Sequence, residues 1–220
     1  MLSFREFLNE ASVDKVQPKN KSELIDIIKD TIAKEGNNCD LNFIDTSMID
    51  DMRNLFSNFP EFNGDISGWN VSNVKNMEEM FNESKFNGDI SRWDVSRVEI
   101  MSSMFASSDF NQDISKWDVS SVFYMHDMFE NSKFNKDISR WNVSNVLSMN
   151  DMFYASDFNQ DISNWDVSKV VYMAHMFDRS KFNQDISGWD VSKVKDADRI
   201  FDRSPLANKP EFQPKFNCLI

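Results

Sequence analysis

The chain contains 220 residues, with 24 Lys and Arg against 36 Asp and Glu, which gives a formal net charge of −12. A chain of this length holds one domain, or one domain with a tail. Its negative charge argues against a protein that tracks nucleic-acid phosphates or docks on anionic membranes. Two His and two Cys leave little material for a metal cluster, whereas six Trp, 13 Met and 20 Phe are unusual for this length.

The N-terminal residues 1–10 read MLSFREFLNE and are followed by Ala11. This segment resembles the capsid-targeting segment of T-even-like phage internal proteins. In that family a prohead protease cuts after a Glu that follows Leu or Ile by two residues. Leu8, Glu10 and Ala11 match this pattern, so the resemblance implies cleavage between Glu10 and Ala11. The alternative interpretation is a short amphipathic helix with its apolar residues on one face.

The same segment contains no apolar stretch of the kind that a secretion signal requires. We therefore expect the protein in the virion interior, in the host cytoplasm, or in both. A polar linker follows, and residues 1–19 are interpreted as a targeting segment with its linker.

A capping helix is predicted next. Asn20 and Glu23 have the spacing of a helix capping box, and the apolar residues after them recur on one helical face: Leu24, Ile27, Ile28 and Ile32. Residues 41–56 match the second part of the repeat described below. Residues 20–61 are therefore interpreted as a capping helix and a degenerate first repeat.

Residues 62–205 consist of six copies of a 24-residue unit. The unit reads F-N-x-D-I-S-x-W-[DN]-V-S-x-V-x-x-M-x-x-M-F-x-x-S-x, and a strict period in this range indicates stacked structural repeats. All six Trp recur at this spacing: Trp69, Trp93, Trp117, Trp141, Trp165 and Trp189. Residues 206–220 remain as a C-terminal cap or tail.

The apolar pattern changes its period within each unit. Trp69 and Val71 alternate as in a short strand, and a run with helical spacing follows at Val74, Met77, Met80 and Phe81. The sequence therefore predicts an α/β repeat solenoid of the leucine-rich-repeat type. Short parallel strands would lie on one side and short α or 3₁₀ helices on the other, with the N-terminal helix as a cap.

The repeat is similar to that of BspA-like, mycoplasma-type surface lipoproteins, a leucine-rich-repeat-like family. The match covers about residues 40–205. The resemblance implies protein binding or adhesion, and it brings no catalytic residues with it. Because the N-terminus lacks the secretion signal of the surface members, a bacterial surface adhesin is only an alternative.

Two polar positions are identical in all six units. One holds Asp65, Asp89, Asp113, Asp137, Asp161 and Asp185. The other holds Asn63, Asn87, Asn111, Asn135, Asn159 and Asn183. The Asp residues suit either a ladder of Ca²⁺ sites or turns in which each Asp accepts backbone N–H groups, while each Asn can bond along the stack. The turn interpretation is favoured, since one Ca²⁺ ion needs about six to eight oxygen ligands.

Binding specificity is expected at the variable positions, because the invariant residues build the scaffold. Two adjacent positions are polar in the outer units and become apolar in the inner ones. Together with a third variable position they give the protein-interface candidates: Ile100, Phe123, Tyr124, Leu147, Tyr154, Val171 and Tyr172. If exposed, such residues form an apolar patch with a charged rim. The alternative is that the C-terminal segment, with Phe212 and Phe216, covers them.

No Gly-rich phosphate loop, nucleophile elbow or acid–base–nucleophile set is present, so no enzyme activity, cofactor or metal is expected. The sequence instead predicts a non-enzymatic module that binds a protein, with no direct contact to nucleic acid or membrane. Together with this module, the N-terminal resemblance implies a phage-encoded internal protein that is packaged in the head. Such a protein would act on a host protein, such as a defence enzyme. Alternatives are a structural capsid-associated protein and an acidic DNA-mimic inhibitor.

Overall fold

The structure is a computed structural model, and it describes residues 15–217. Helix α1 spans Lys21–Glu35, and two short 3₁₀ helices at Pro205–Asn208 and Pro210–Phe212 follow the last repeat. Between them each 24-residue unit forms one coil of consecutive turns, and the coils stack in chain order. Their buried side chains form one continuous core that runs from Leu24 to Leu206.

Helix α1 begins where the capping residues predict. The Asn20 side chain accepts a hydrogen bond of 3.0 Å from the backbone N–H of Glu23, which satisfies one of the donors left free at a helix start. Gly36 follows the last turn with a φ of 87°, a conformation that suits glycine. Leu24 and Ile28 are fully buried in the core, so α1 covers the first end of the stack.

The predicted α/β solenoid of the leucine-rich-repeat type is wrong. Between residues 15 and 217 the structure contains no β-strand, and α1 is the sole α-helix of that part of the chain. The bridges between neighbouring coils are isolated and parallel, and six of them follow one column of equivalent residues: Asp51, Asn76, Ile100, Tyr124, Ser148, Tyr172 and Asp196. Two further bridges join Val16 to Ile44 and Asp40 to Asp65 at the first end of the stack. The predicted parallel strands and the predicted short helices within the units are both absent there.

The alternation of Trp69 and Val71 does not produce a strand because turns flank it. The N–H of Trp69 donates to the carbonyl of Ile66 at 3.1 Å, and the N–H of Val74 donates to the carbonyl of Val71 at 2.9 Å. Both bonds join residues three apart, which is the spacing of a turn. The alternation therefore indicates which side chains face the core, and not a strand.

The apolar spacing from Val74 to Phe81 does not produce a helix because alternate N–H groups donate to the next coil. The pairs, each donor before its acceptor carbonyl, are Met77 with Ile100, Glu79 with Ser102, Phe81 with Met104, and Glu83 with Ala106. Glu79 and Glu83 both have a φ of 54°, in the left-handed region that a right-handed helix cannot contain. The equivalent residues of the other coils also have positive φ.

The indole of each Trp ties its coil to the preceding part of the stack. All six Nε1–H groups donate to a backbone carbonyl, at distances of 3.0–3.2 Å. In the regular coils the acceptor is the Ile that stands 27 residues earlier, as when Trp141 donates to Ile114. Trp is therefore needed for its N–H as well as for its size.

The coils lie closer together on the side of the bridges than on the side of the Phe rings. The nearly parallel rings of the Phe62 column, from Phe62 to Phe182, have centroids 6.1–6.3 Å apart. Bridged backbones are about 4.8 Å apart. The coils therefore fan out away from the bridges, and the bridge column lies on the concave side of the stack.

Candidate protein-binding surface

The six repeated Asp residues each stabilise a turn of their own coil. Each carboxylate accepts a hydrogen bond of 2.8–2.9 Å from the backbone N–H of the Ser two residues later. These bonds hold the pKa of each carboxyl group below its ordinary value of 3.8. Within residues 15–217, no group of three or more His, Cys, Asp and Glu side chains is placed to hold a metal ion.

The six repeated Asn residues connect successive coils. In the first five, the side-chain Oδ1 accepts a hydrogen bond from the backbone N–H of the next Asn, at 2.8–3.1 Å. Asn183 is the last member, and its buried Oδ1 has no hydrogen-bond partner. The series ends there because the chain has no further regular coil to supply the next N–H.

Six of the interface candidates lie together in two adjacent columns on the concave side. They are called the aromatic patch: Ile100, Phe123, Tyr124, Leu147, Val171 and Tyr172. Phe123, Tyr124 and Tyr172 are 40%, 42% and 46% exposed, and the other three are half-buried. Backbone hydrogen bonds of 2.9 Å link Phe123 to Leu147 and Leu147 to Val171, so the patch is continuous across coils.

The centre of the aromatic patch holds a small residue. Ser148 is 8% exposed and is bridged to Tyr124 on one side and to Tyr172 on the other. The two tyrosines therefore belong to coils that lie two bridge spacings apart, about 10 Å, and both contribute to one surface.

The seventh interface candidate, Tyr154, lies outside these two columns. It is half-buried, and the guanidinium of Arg179 stands 5.9 Å from its ring centroid. This cation–π contact places Tyr154 beside charged residues instead of in the aromatic patch.

The described part of the C-terminal segment packs on the last coil, away from the aromatic patch. Leu206 is fully buried, and the ring of Phe216 lies 6.2 Å from that of Phe201. The N–H of Ile186 donates to the carbonyl of Phe212 at 3.0 Å. Residues 206–217 therefore cover the second end of the stack and leave the patch open.

Four carboxylates that the sequence analysis did not single out gather next to the aromatic patch. They are called the acidic row: Asp127, Glu130, Asp151 and Asp178. They occupy two variable columns, so no repeated motif marks them. The sequence could still have indicated this cluster, because Asp127 and Asp151 stand 24 residues apart. Stacking of the units brings residues with this spacing side by side.

One Ser–His pair on the same face resembles a nucleophile with its base. The Ser102 Oγ lies 3.0 Å from the His126 Nδ1, within the range expected for such a pair. Ser102, however, is fully buried, so a substrate cannot reach its hydroxyl. The contact therefore joins two coils without forming a reactive site.

The proposed cleavage position between Glu10 and Ala11 lies outside the described residues. Among the helices of residues 15–217, none is long and apolar enough to cross a membrane.

A comparison with protein families matches the repeats twice. Residues 27–133 and residues 106–212 each match the family described as "Mycoplasma protein of unknown function, DUF285". The two matches overlap and together extend from within α1 to the end of the second 3₁₀ helix. No curated protein and no solved structure matches the chain.

The turn role of the repeated Asp residues predicts that divalent cations do not stabilise the fold. Thermal melts with added Ca²⁺ and with a chelator should give the same Tm, because each carboxylate already has its backbone partner. A chelator that lowers the Tm by several degrees would contradict this role and favour Ca²⁺ sites.

Proposed function

Because the chain belongs to the DUF285 family, a family of repeat proteins whose function is unknown, we propose that it is a non-enzymatic protein-binding module. Its partner docks on the aromatic patch. The observation that carries the proposal is the exposure of Phe123, Tyr124 and Tyr172, which are three of the five large hydrophobic side chains exposed within residues 15–217.

The composition of this surface supports a protein partner. Exposed aromatic residues on a concave face, within a polar surround, are typical of protein interfaces. The outer members of the same two columns are exposed or half-buried polar residues that form a rim: Lys75, Asn76, Glu99, Lys195 and Asp196. An exposed apolar patch lowers the solubility of a protein unless a partner covers it, and such patches commonly mark interaction sites.

The remainder of the repeat supports a scaffold role for the invariant residues. The repeated Trp, Phe and Met side chains are buried, and the repeated Asp residues are engaged in turns. The variable positions include the exposed columns of the aromatic patch, where a change of residue can select a partner.

The N-terminal resemblance extends the proposal to a biological setting. A capsid-targeting segment at residues 1–10 fits a phage-encoded internal protein that is packaged in the virion and reaches the host cytoplasm. Its partner is then a host protein, such as a defence enzyme that the phage inhibits.

The double substitution Phe123→Ser and Tyr124→Ser should abolish partner binding and leave the fold intact, because both side chains are exposed and lie outside the buried core. Proteins retained from host lysate by the wild type would be identified by mass spectrometry and compared with those retained by the variant. Circular dichroism and thermal melts would check the fold.

Met48→Ser is the matched control, since Met48 is 66% exposed and lies outside the aromatic patch. This variant should retain the same proteins as the wild type. Equal retention by the double variant, or loss of its fold, would contradict the proposed docking surface.

The phage setting predicts that the mature protein begins at Ala11. The intact mass of the protein from purified virions should equal that of residues 11–220, because the prohead protease removes the targeting segment. A mass that corresponds to the full chain, or absence of the protein from virions, would contradict this setting.

A further inference from the structure

The chain contains two kinds of carboxylate with opposite surroundings. The repeated Asp residues accept backbone hydrogen bonds, face solvent and have lowered pKa values. In the acidic row, burial raises the pKa of Asp127 and of Glu130 above the ordinary values of 3.8 and 4.5, and neighbouring carboxylates raise them further. Within the described residues, no side chain or N–H group donates a hydrogen bond to either carboxylate.

The acidic row runs across three consecutive coils. Asp127 and Asp151 are equivalent residues of adjacent coils, both half-buried, with φ values of 57° and 53°. Glu130 stands three residues after Asp127, and Asp178 occupies the equivalent position two coils later. These carboxylates repel one another, because the negative charge of Asp151 helps to raise the pKa of both Asp127 and Glu130.

Asp178 is independent evidence that the row lacks a partner. Its side chain is only 4% exposed, and its buried Oδ1 has no hydrogen-bond partner. It faces the row, because its negative charge acts to raise the pKa of Asp151. A buried carboxylate oxygen without a donor is costly, and such groups are normally paired in the state in which the protein functions.

The positive groups around the row leave it incompletely neutralised. His175 lies 3.3 Å from Asp151 and 3.6 Å from Asp198, and so divides its contacts between two acids. His126 contacts Ser102, and its charge acts to lower the pKa of Asp127 and of Asp151, although burial keeps both pKa values raised. Arg179 stands over the ring of Tyr154.

The acidic row adjoins the aromatic patch. Tyr124 precedes Asp127 by three residues, and Tyr172 precedes His175 by the same number. Of the two residues between them in each coil, the first, Met125 or Met173, is fully buried, so the residues on either side of it share the outer face. A ligand that covers Tyr124 therefore also reaches the nearest carboxylates.

We propose that the acidic row binds the guanidinium or ammonium group of a partner protein segment whose neighbouring apolar side chain packs on the aromatic patch. This inference rests on the proposed function and names the chemistry of the partner. A basic side chain supplies the hydrogen-bond donors that Asp127 and Glu130 lack, and an adjacent apolar residue packs on the exposed rings of Phe123 and Tyr124.

Other cations and polymers fit the row less well. No cluster suited to a metal ion occurs in the described part of the chain. A nucleic acid would be repelled by four carboxylates and by the net charge of −12. A basic protein segment, in contrast, is attracted by that same charge.

Random dodecapeptides displayed on phage would be selected against the wild-type protein, and the enriched peptides would be synthesised for affinity measurements. They should carry Arg or Lys close to an apolar residue. The double variant Asp127→Asn and Glu130→Gln should bind them about tenfold more weakly, with a shallower dependence of affinity on salt.

The same double variant should have a higher Tm than the wild type in the absence of peptide, because the substitutions remove repulsion between half-buried carboxylates. A residue with a structural role would give the opposite result, so a lower Tm would overturn the inference. Glu83→Gln is the matched control, since Glu83 is exposed on the same face in an outer coil. This variant should change neither the affinity nor the Tm.

The outcomes separate the inference from the proposed function. In one outcome, the selected peptides bind the Phe123→Ser and Tyr124→Ser variant more weakly, yet contain no basic residue or bind the acidic-row variant as tightly as the wild type. That outcome would overturn the inference and leave the proposed function standing. Selection that yields no peptide dependent on Phe123 and Tyr124 would contradict the proposed function itself.

Discussion

The structure depends on hydrogen bonds between coils that are kept in one register. A coil has no helix or strand of its own, and alternate N–H groups from Met77 to Glu83 find their acceptors in the next coil. Within the described chain, 13 non-glycine residues have positive φ. This left-handed conformation destabilises each coil by about 1 kcal/mol or more per residue. Only contacts between coils offset this cost, so a single coil cannot be stable by itself.

This dependence explains the uniform side chains of the repeat. A residue that packs on its own equivalent in the next coil must be of the same type in both, as in the Phe columns and the Asn series. The Trp indoles extend the same rule, because each one donates to the carbonyl of an earlier Ile. The unusual numbers of Trp, Phe and Met are therefore one set of contacts repeated along the stack, and they leave the solvent-facing columns free to vary.

The sequence predicted the repeat period, the buried residues and the start of α1, because these follow from residue type and spacing alone. It failed on the conformation within a coil, since the spacing from Val74 to Phe81 places side chains inward in a helix and in left-handed turns alike. The sequence left open whether the variable columns are exposed, and the structure places Phe123 and Tyr124 at the surface. The acidic row was missed because Asp127, Glu130 and Asp178 acquire their character from partial burial across coils, which no single repeat displays.

If the register between coils holds the fold, removal of whole coils should be tolerated and removal of a fractional number of coils should not. Deleting residues 86–133 removes two complete units. In one column Lys133 pairs with Asp109 and Lys181 pairs with Asp157. The deletion leaves Lys85, Asp157 and Lys181 in this column, so its charges still alternate. Deleting residues 86–132 leaves one extra residue and shifts every later contact. Urea unfolding should show a cooperative transition for the first variant and none, or a much weaker one, for the second. Equal stability of the two variants would contradict the account.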